Sequence, residues 1–201
     1  MTQEISNFGD HAEVTMQTRP AMSETVGVEG HYHVVCRDKD GNIKWEEEFP
    51  NLVVAVGKQL MLDTLLSGSA YTTVGPFLGL ISGASPTFAA SDTMASHAGW
   101  TEFTAYTVGG SAVRGTAVFT SATSSGTTPS NVTTKAASAI TYTITGGGGT
   151  VGGCFLVTGS GAVSTQSSTA GTLYSAGAFS TAKVTTAGDT VSVTYSTTAT
   201  S

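Results

Sequence analysis

A chain of 201 residues is long enough for one large domain, or for one domain with an arm. Only 11% of its residues are charged, and the net charge of −6 comes without a Lys/Arg cluster. Phosphate neutralisation supplies most of the affinity for nucleic acid, so this composition makes the chain a poor candidate for binding nucleic acid. No apolar run reaches the roughly 20 residues that span a bilayer. We therefore expect no nucleic-acid partner and no membrane partner.

Charge is distributed unevenly along the chain. Residues 1–63 hold eleven of the 14 acidic and five of the 8 basic side chains. The remaining residues are mainly Thr, Ser, Ala, Gly and Val, whose side chains lose little entropy when they are covered. Such a neutral surface suits a protein packed against copies of itself or on a scaffold, and it also suits an exported adhesin.

The first ten residues, MTQEISNFGD, lack the basic and apolar regions of a signal peptide, which counts against export. Two cysteines, Cys36 and Cys154, are too few for a disulfide framework. We therefore expect a protein made in a cytoplasm, with both thiols reduced.

Residues 1–30 show neither helical nor strand periodicity, and Pro20 argues against a long helix. They form either an extended arm or a disordered tail. The isolated apolar side chains favour an N-terminal arm that lies on a partner. The predicted partner contacts are Phe8, Met16, Arg19 and Met22.

Residues 31–49 have the pattern of a β-hairpin, which opens the predicted domain 31–201. In HYHVVCR, Tyr32, Val34 and Cys36 share one strand face, opposite His31 and His33. The cluster DKDGN predicts a tight turn, and IKWEEEF predicts the returning strand, with Glu47 as a charged exception on its apolar face.

Residues 51–83 contain the densest run of large aliphatic side chains. Leu62 and Leu66 are four residues apart, as are Met61 and Leu65, which predicts a short helix over about 54–66. The segment PFLGLIS that follows is apolar on both faces and predicts a strand covered on both sides. The whole stretch is interpreted as core.

Short segments with strand character follow residue 83 after a loop. Residues 140–145 and 190–195 alternate strictly between apolar and hydroxyl side chains, as half-buried antiparallel strands do. A break is predicted over 121–131. These features predict a mainly β fold, an antiparallel jelly-roll-like β-sandwich with one short helix and an extended N-terminal arm. The segments are WTEFTAYTV, SAVRGTAVFTSA, AITYTIT, VGGCFLVTG, TLYSA, AFSTAKV and TVSVTYSTT.

Several groups of residues have side chains that could form a chemical site. His31 and His33 share a strand face but have no carboxylate cluster at matching spacing, so a metal site is not predicted. His97 with Asp92 and Glu102 is a conceivable acid/base set without a nucleophile. The glycine runs at 146–149 and 152–153 lack the strand-to-helix context of a phosphate cradle and are interpreted as turns. We expect no catalytic residue and no cofactor.

Four segments of the chain resemble a group of tailed-bacteriophage virion proteins. These segments are NLVVAVGKQLMLDTLL, PFLGLISG, SDTMASHAGWTEFTAY and AGDTVSVTYS, in this order. The resemblance covers roughly residues 43–196, and DTMASHAGWTE is its most specific part. It carries over no catalytic residue.

The resemblance implies a non-enzymatic β-sandwich component of the virion, with capsid decoration the favoured role. The implied partners are the major capsid protein and further copies of the chain, with a homotrimer favoured, on the capsid surface of a particle made in the bacterial host cytoplasm. Two alternatives stay open. One is a tail, neck or head-fibre component, and the other is a carbohydrate-binding surface module with Trp100, Tyr106 and Tyr142 as stacking platforms.

Overall fold

The computed structural model describes residues 27–66, 74–120, 123–125, 128–132 and 139–200. This part of the chain contains thirteen strands and one helix. They are β1 (Gly27–Arg37), β2 (Ile43–Pro50), β3 (Leu52–Val53), α1 (Ala55–Leu66), β4 (Phe77–Ser82), β5 (Thr101–Phe103), β6 (Tyr106–Thr107), β7 (Gly115–Thr116), β8 (Thr123–Ser125), β9 (Thr128–Val132), β10 (Ile140–Ile144), β11 (Gly149–Thr158), β12 (Thr172–Thr185) and β13 (Thr190–Thr200).

The strands form two antiparallel sheets, and the predicted mainly β sandwich with one short helix is confirmed. The first sheet has the order β2-β1-β13-β10-β6, with β9 paired to β13 and β8 paired to β9. The second sheet has the order β3-β12-β11-β4-β5, with β7 paired to β4. Strands that are distant in sequence are thus neighbours in space, as in most β-sandwiches.

The hairpin of β1 and β2 is longer than the sequence pattern indicated. Residues 27–30 were predicted as arm, but they belong to β1, because they pair in register with residues 197–200 of β13. Tyr32, Val34 and Cys36 are buried. In the turn, Asp38 Oδ1 accepts hydrogen bonds from the N–H groups of Asp40 and Asn42, both at 2.9 Å.

Glu47 faces inward, and its neighbours explain this exception to the apolar face of β2. Its carboxylate lies 2.7 Å from Lys183 Nζ and accepts the N–H of Ser180 at 2.6 Å. Burial alone would raise the pKa of Glu47, but these hydrogen bonds outweigh it and hold the pKa below its usual value.

The helix α1 is not the core element that its aliphatic content predicted. Gly57 and Leu60 are its buried residues, whereas Leu62, Leu65 and Leu66 are 52%, 72% and 79% exposed. The reason is geometric. An added Cβ on Gly57 would lie 2.4 Å from the carbonyl oxygen of Tyr174, so the helix lies with one edge directly on the β12 backbone. The leucines point to the other side.

Two predicted strands are shorter or broken. The segment 100–108 was predicted as one strand, but β5 belongs to the second sheet and β6 to the first, so the chain crosses between sheets at residues 104–105. The segment 111–122 was also predicted as one strand. Among its described residues, only the two residues of β7 are assigned to a strand. There Arg114 is buried against Glu102 and does not project into solvent.

Two predicted breaks are strands. Residues 121–131 were predicted as a break, but β8 and most of β9 lie there and pair with each other. Residues 152–153 were interpreted as a turn, but they lie inside β11, where its register against both neighbours shifts. Glycine at a bulge allows neighbouring backbones to approach closely. The two segments TLYSA and AFSTAKV form the single strand β12.

The apolar residues form two clusters. The larger lies between the sheets and contains the inward side chains of β1, β4, β10, β11 and β13. The smaller covers the outer face of the second sheet, where Val54, Ile81, Met94 and Trp100 pack around Phe155. The strand β4 is therefore buried on both faces, as its sequence indicated.

Asp189 anchors the turn between β12 and β13. It is 2% exposed, and its Oδ2 accepts hydrogen bonds from Lys44 Nζ and from the N–H of Thr186 at 2.8 Å. Burial alone would raise the pKa of Asp189, but these bonds outweigh it and lower the pKa. Because the folded state holds this pKa below the unfolded value, its contribution is complete above about pH 4 and is lost as the pH falls through the lowered pKa.

We expect Asp189→Asn to lower the free energy of unfolding at pH 7 by about 1–3 kcal/mol, because the buried charged hydrogen bonds are lost. The variant should also lose less stability than the wild type between pH 5 and pH 2. Urea titrations at several pH values measure both effects. Asp40→Asn is the control, since Asp40 pairs with Lys39 on the surface. If Asp189→Asn lost as much stability between pH 5 and pH 2 as the wild type does, the prediction would be wrong.

Candidate functional site

A buried ion pair lies on the outer face of the second sheet, beneath the loop that precedes β12. The side chains of Arg114 and Glu102 are 1% and 7% exposed. Arg114 Nε donates to Glu102 Oε1 at 2.9 Å, and Arg114 Nη2 donates to Glu102 Oε2 at 2.7 Å. The guanidinium carbon lies 5.1 Å from the ring centre of Phe155. The ion pair is thus bidentate, which is the strong form of an arginine–carboxylate interaction.

The same pair holds the loop between β11 and β12 in place. Arg114 Nη2 also donates to the carbonyl of Ser168 at 2.8 Å, and the N–H of Ser167 donates to Glu102 Oε2 at 2.7 Å. Ser167 has φ = 61°, a left-handed conformation that is unfavourable for a residue with a side chain. The carboxylate of Glu102 therefore fixes a strained residue of the loop.

A cavity of about 240 Å³ adjoins this pair. Met94, His97 and Thr169 contribute to its wall together with Glu102 and Arg114. The positive charge of Arg114 is balanced by Glu102, so the ion pair presents no net charge to the cavity. This arrangement stabilises the loop that covers the pair.

The acid/base set weighed from the sequence is only partly brought together. His97 and Glu102 line the same cavity, but Asp92 bonds elsewhere, with its Oδ2 accepting the N–H of Ala89 at 3.1 Å. The His97 ring stacks on Trp100 at a centroid distance of 3.8 Å, and its Nδ1 lies 3.1 Å from the Trp100 carbonyl oxygen. Asp92, His97 and Glu102 thus each contact a different part of the structure, and Asp92 does not join the other two at the cavity.

The two histidines of β1 lie on the outer face of the first sheet. His33 Nε2 lies 2.8 Å from Glu46 Oε1 in a surface pair. In the part of the chain that the structure describes, no cluster of three or more His, Cys, Asp or Glu side chains is placed to hold a metal ion.

The three aromatic residues considered as sugar platforms are buried. Trp100, Tyr106 and Tyr142 are 4%, 1% and 0% exposed. Tyr142 donates its hydroxyl to the carbonyl of Leu78 at 2.7 Å, across the two sheets. None of these three rings offers a free face to a sugar, so that hypothesis loses the residues on which it rested.

Both cysteines are free and buried. Burial raises the pKa of the Cys36 thiol to about 11 and raises that of Cys154 as well. The thiolate is the reactive form of cysteine, so neither side chain is activated as a nucleophile.

The predicted partner contacts Phe8, Met16, Arg19 and Met22 lie outside the described residues, as does the arm 1–26. The leucines at the end of α1, which were predicted as core, are exposed. Among the described residues, no helix combines the length and the apolar character needed to cross a membrane.

Comparison of the chain with protein-family models, with curated proteins and with solved structures finds no match. The resemblance to phage virion proteins therefore depends on the four sequence segments themselves.

Proposed function

We propose that this chain is a non-enzymatic structural protein of a tailed-phage virion, and specifically a capsid decoration protein that binds and stabilises the assembled head. The observation that carries the proposal is the ordered set of four segments that resemble this group. Three of these segments meet in one buried cluster, to which they contribute Val54, Ile81, Met94 and Trp100. These side chains of the matching segments thus have a packing role in the fold.

The composition of the surface also supports a structural role. The outer side of the first sheet presents hydroxyl side chains, among them Thr141 and Ser192, whose oxygens are 3.2 Å apart. Short hydroxyl side chains lose little entropy in a contact. Such a surface suits a protein that is covered by neighbours over much of its area.

A decoration protein acts by binding the assembled shell and not its dissociated parts. By mass action this stabilises the shell, by about 2.7 kcal/mol per site when the free protein is at 100 times its Kd. In this proposal the protein is a closed homo-oligomer, with a trimer at a threefold or quasi-threefold point favoured. The major capsid protein is the partner, and the arm contributes Phe8, Met16, Arg19 and Met22 to the contact.

The copy number of the protein in purified particles tests the proposal. We expect quantitative mass spectrometry to find a number equal to that of the major shell protein or a simple fraction of it. A handful of copies per particle would instead support a tail, neck or head-fibre component. Absence from the particle would contradict any virion role.

A further inference from the structure

Two side chains in the wall of the cavity beside the ion pair carry a hydrogen-bond donor without an acceptor. The donors are Nη1 of Arg114 and Nε1 of Trp100, and among the described residues neither atom meets an acceptor. The two side chains are buried, so water cannot freely replace the missing partners. A buried donor without an acceptor costs free energy. A bound group that supplies an acceptor oxygen would therefore be held here.

His97 adds a hydrogen-bond acceptor to the same wall. Its Nδ1 lies 3.1 Å from the carbonyl oxygen of Trp100. A carbonyl oxygen can only accept, so in the neutral ring Nδ1 carries the proton and Nε2 is left as the acceptor. Stacking on the Trp100 ring fixes the plane of the imidazole. The residues of the wall thus offer two donors and one acceptor.

The charges around the cavity favour a neutral ligand. Arg114 and Glu102 are joined by two hydrogen bonds, and their charges balance. A carboxylate bound here would be repelled by Glu102, and an ammonium group would be repelled by Arg114. Removal of an ion from water also costs more than removal of a neutral polar group. Met94 adds an apolar side chain to the wall, and Thr101 and Thr169 add hydroxyl groups.

The size of the cavity limits the ligand to a small group. Its volume of about 240 Å³ is below the roughly 300–1,000 Å³ of pockets that enclose a drug-sized ligand. A carboxamide has the required groups, because its oxygen accepts two hydrogen bonds and its nitrogen donates two. Its oxygen suits the two unpartnered donors, and its NH₂ group suits Nε2 of His97.

We propose that this cavity binds a neutral carboxamide, with Arg114 and Trp100 as donors and His97 as acceptor. The carboxamide belongs either to a free small amide or to an Asn or Gln side chain of a polypeptide. The site goes beyond the virion role and does not depend on it.

Titration of the isotope-labelled full chain with acetamide, followed by NMR, tests the proposal. The chain has two tryptophans, so Trp45→Phe assigns the two indole N–H signals. We expect a saturable shift of the Trp100 signal. The Trp45 signal is the internal control and should not move, because Trp45 Nε1 is also buried without an acceptor among the described residues but does not line the cavity. A Trp100 signal that stays in place would overturn the proposal.

Two other small molecules test the chemistry of the ligand. Sodium acetate, compared at equal ionic strength, should bind about tenfold more weakly than acetamide, because it adds a charge beside Glu102. Glucose, a neutral molecule with hydroxyl groups alone, should also bind more weakly than acetamide. Equal or tighter binding of acetate or of glucose would overturn the assignment to a carboxamide.

A histidine substitution tests the location, since Trp100 also borders a second cavity formed by residues 82–86 and 98–101. His97 lines only the first of these two cavities. His97→Phe keeps an aromatic ring against Trp100 and should raise the dissociation constant for acetamide about fivefold, the effect of one lost hydrogen bond. His33→Phe is the matched control, because His33 lies on the outer face of the first sheet and should leave the constant unchanged. An unchanged constant in a folded His97→Phe variant would overturn the site.

A capped peptide distinguishes the two sources of the carboxamide. Acetylated and amidated Gly-Gln-Gly presents a glutamine side chain without charged ends. Tighter binding of this peptide than of acetamide supports a polypeptide side chain, and tighter binding of acetamide supports a free small amide. Binding of neither compound would overturn the proposal.

Discussion

Replacing Arg114 by leucine should lower the free energy of unfolding by about 3–5 kcal/mol, because it leaves the Glu102 carboxylate buried without its countercharge. Arg114 is among the largest fully buried side chains, and its guanidinium is held by Glu102 and by the carbonyl of Ser168. The substitution removes all of these contacts at once. The left-handed Ser167, whose N–H bonds to Glu102, should be loosened with them.

Urea unfolding of Arg114→Leu, Glu102→Leu and the double variant forms a mutant cycle that measures the pair. Since an unpaired buried charge costs more than a paired one, the double variant should be less destabilised than the two single effects added together. Lys39→Leu breaks an exposed ion pair with Asp40 and serves as the control, with an expected change below about 1 kcal/mol. Simple additivity of the single effects would contradict the role assigned to the pair.

The fold could be predicted where one physical signal dominated. The alternation of apolar and polar side chains in β1, β10 and β13 predicted both the strands and their buried faces. A half-buried strand has one apolar face and one solvent-exposed face. The same alternation did not predict the crossing at residues 104–105, where the chain passes from the second sheet to the first. Side-chain alternation specifies which face is buried, and it contains no information on which sheet a strand joins.

The buried ion pair was missed, although the sequence carried a signal for it. In residues 64–201 only three acidic and three basic side chains occur. An isolated charge in such a neutral stretch is a candidate for an interior role, and Glu102 and Arg114 are such charges. Their pairing depends on the contacts of β5 with β4 and on the loop at 167–168, so spacing along the chain could not reveal it.

The leucines of α1 show the opposite error. Helical spacing correctly indicated that Leu62 and Leu66 lie on one face, but it could not say whether that face meets the sheet. The orientation of the helix depends on Gly57. This residue has no side chain, so the helix can lie directly against the backbone of β12 at this point. Small residues at a helical interface allow close approach, and they carry no hydrophobicity that a periodicity argument would detect.

Gly153 in β11 also allows two backbones to approach closely, and its replacement should have the second-largest effect. A Cβ at this position would lie 2.0 Å from the carbonyl oxygen of Gly177 and 3.0 Å from the Cα of Ala178. Both atoms belong to the backbone of β12 and cannot turn aside as a side chain would. The register of β11 shifts between Val151 and Gly153, so this close approach is part of the bulge.

We therefore expect Gly153→Ala to lower the free energy of unfolding by about 2–3 kcal/mol, as overpacking in a well-packed interior does. The matched control is Gly147→Ala, since an added Cβ on Gly147 meets no atom within 4 Å. That variant should be unchanged or stabilised by up to about 1 kcal/mol, because alanine restricts the unfolded chain. Chemical denaturation of the two variants measures both changes. Equal stability of the two would mean that β11 and β12 can separate at the bulge at little cost, and the tight junction inferred from the backbone distances would be wrong.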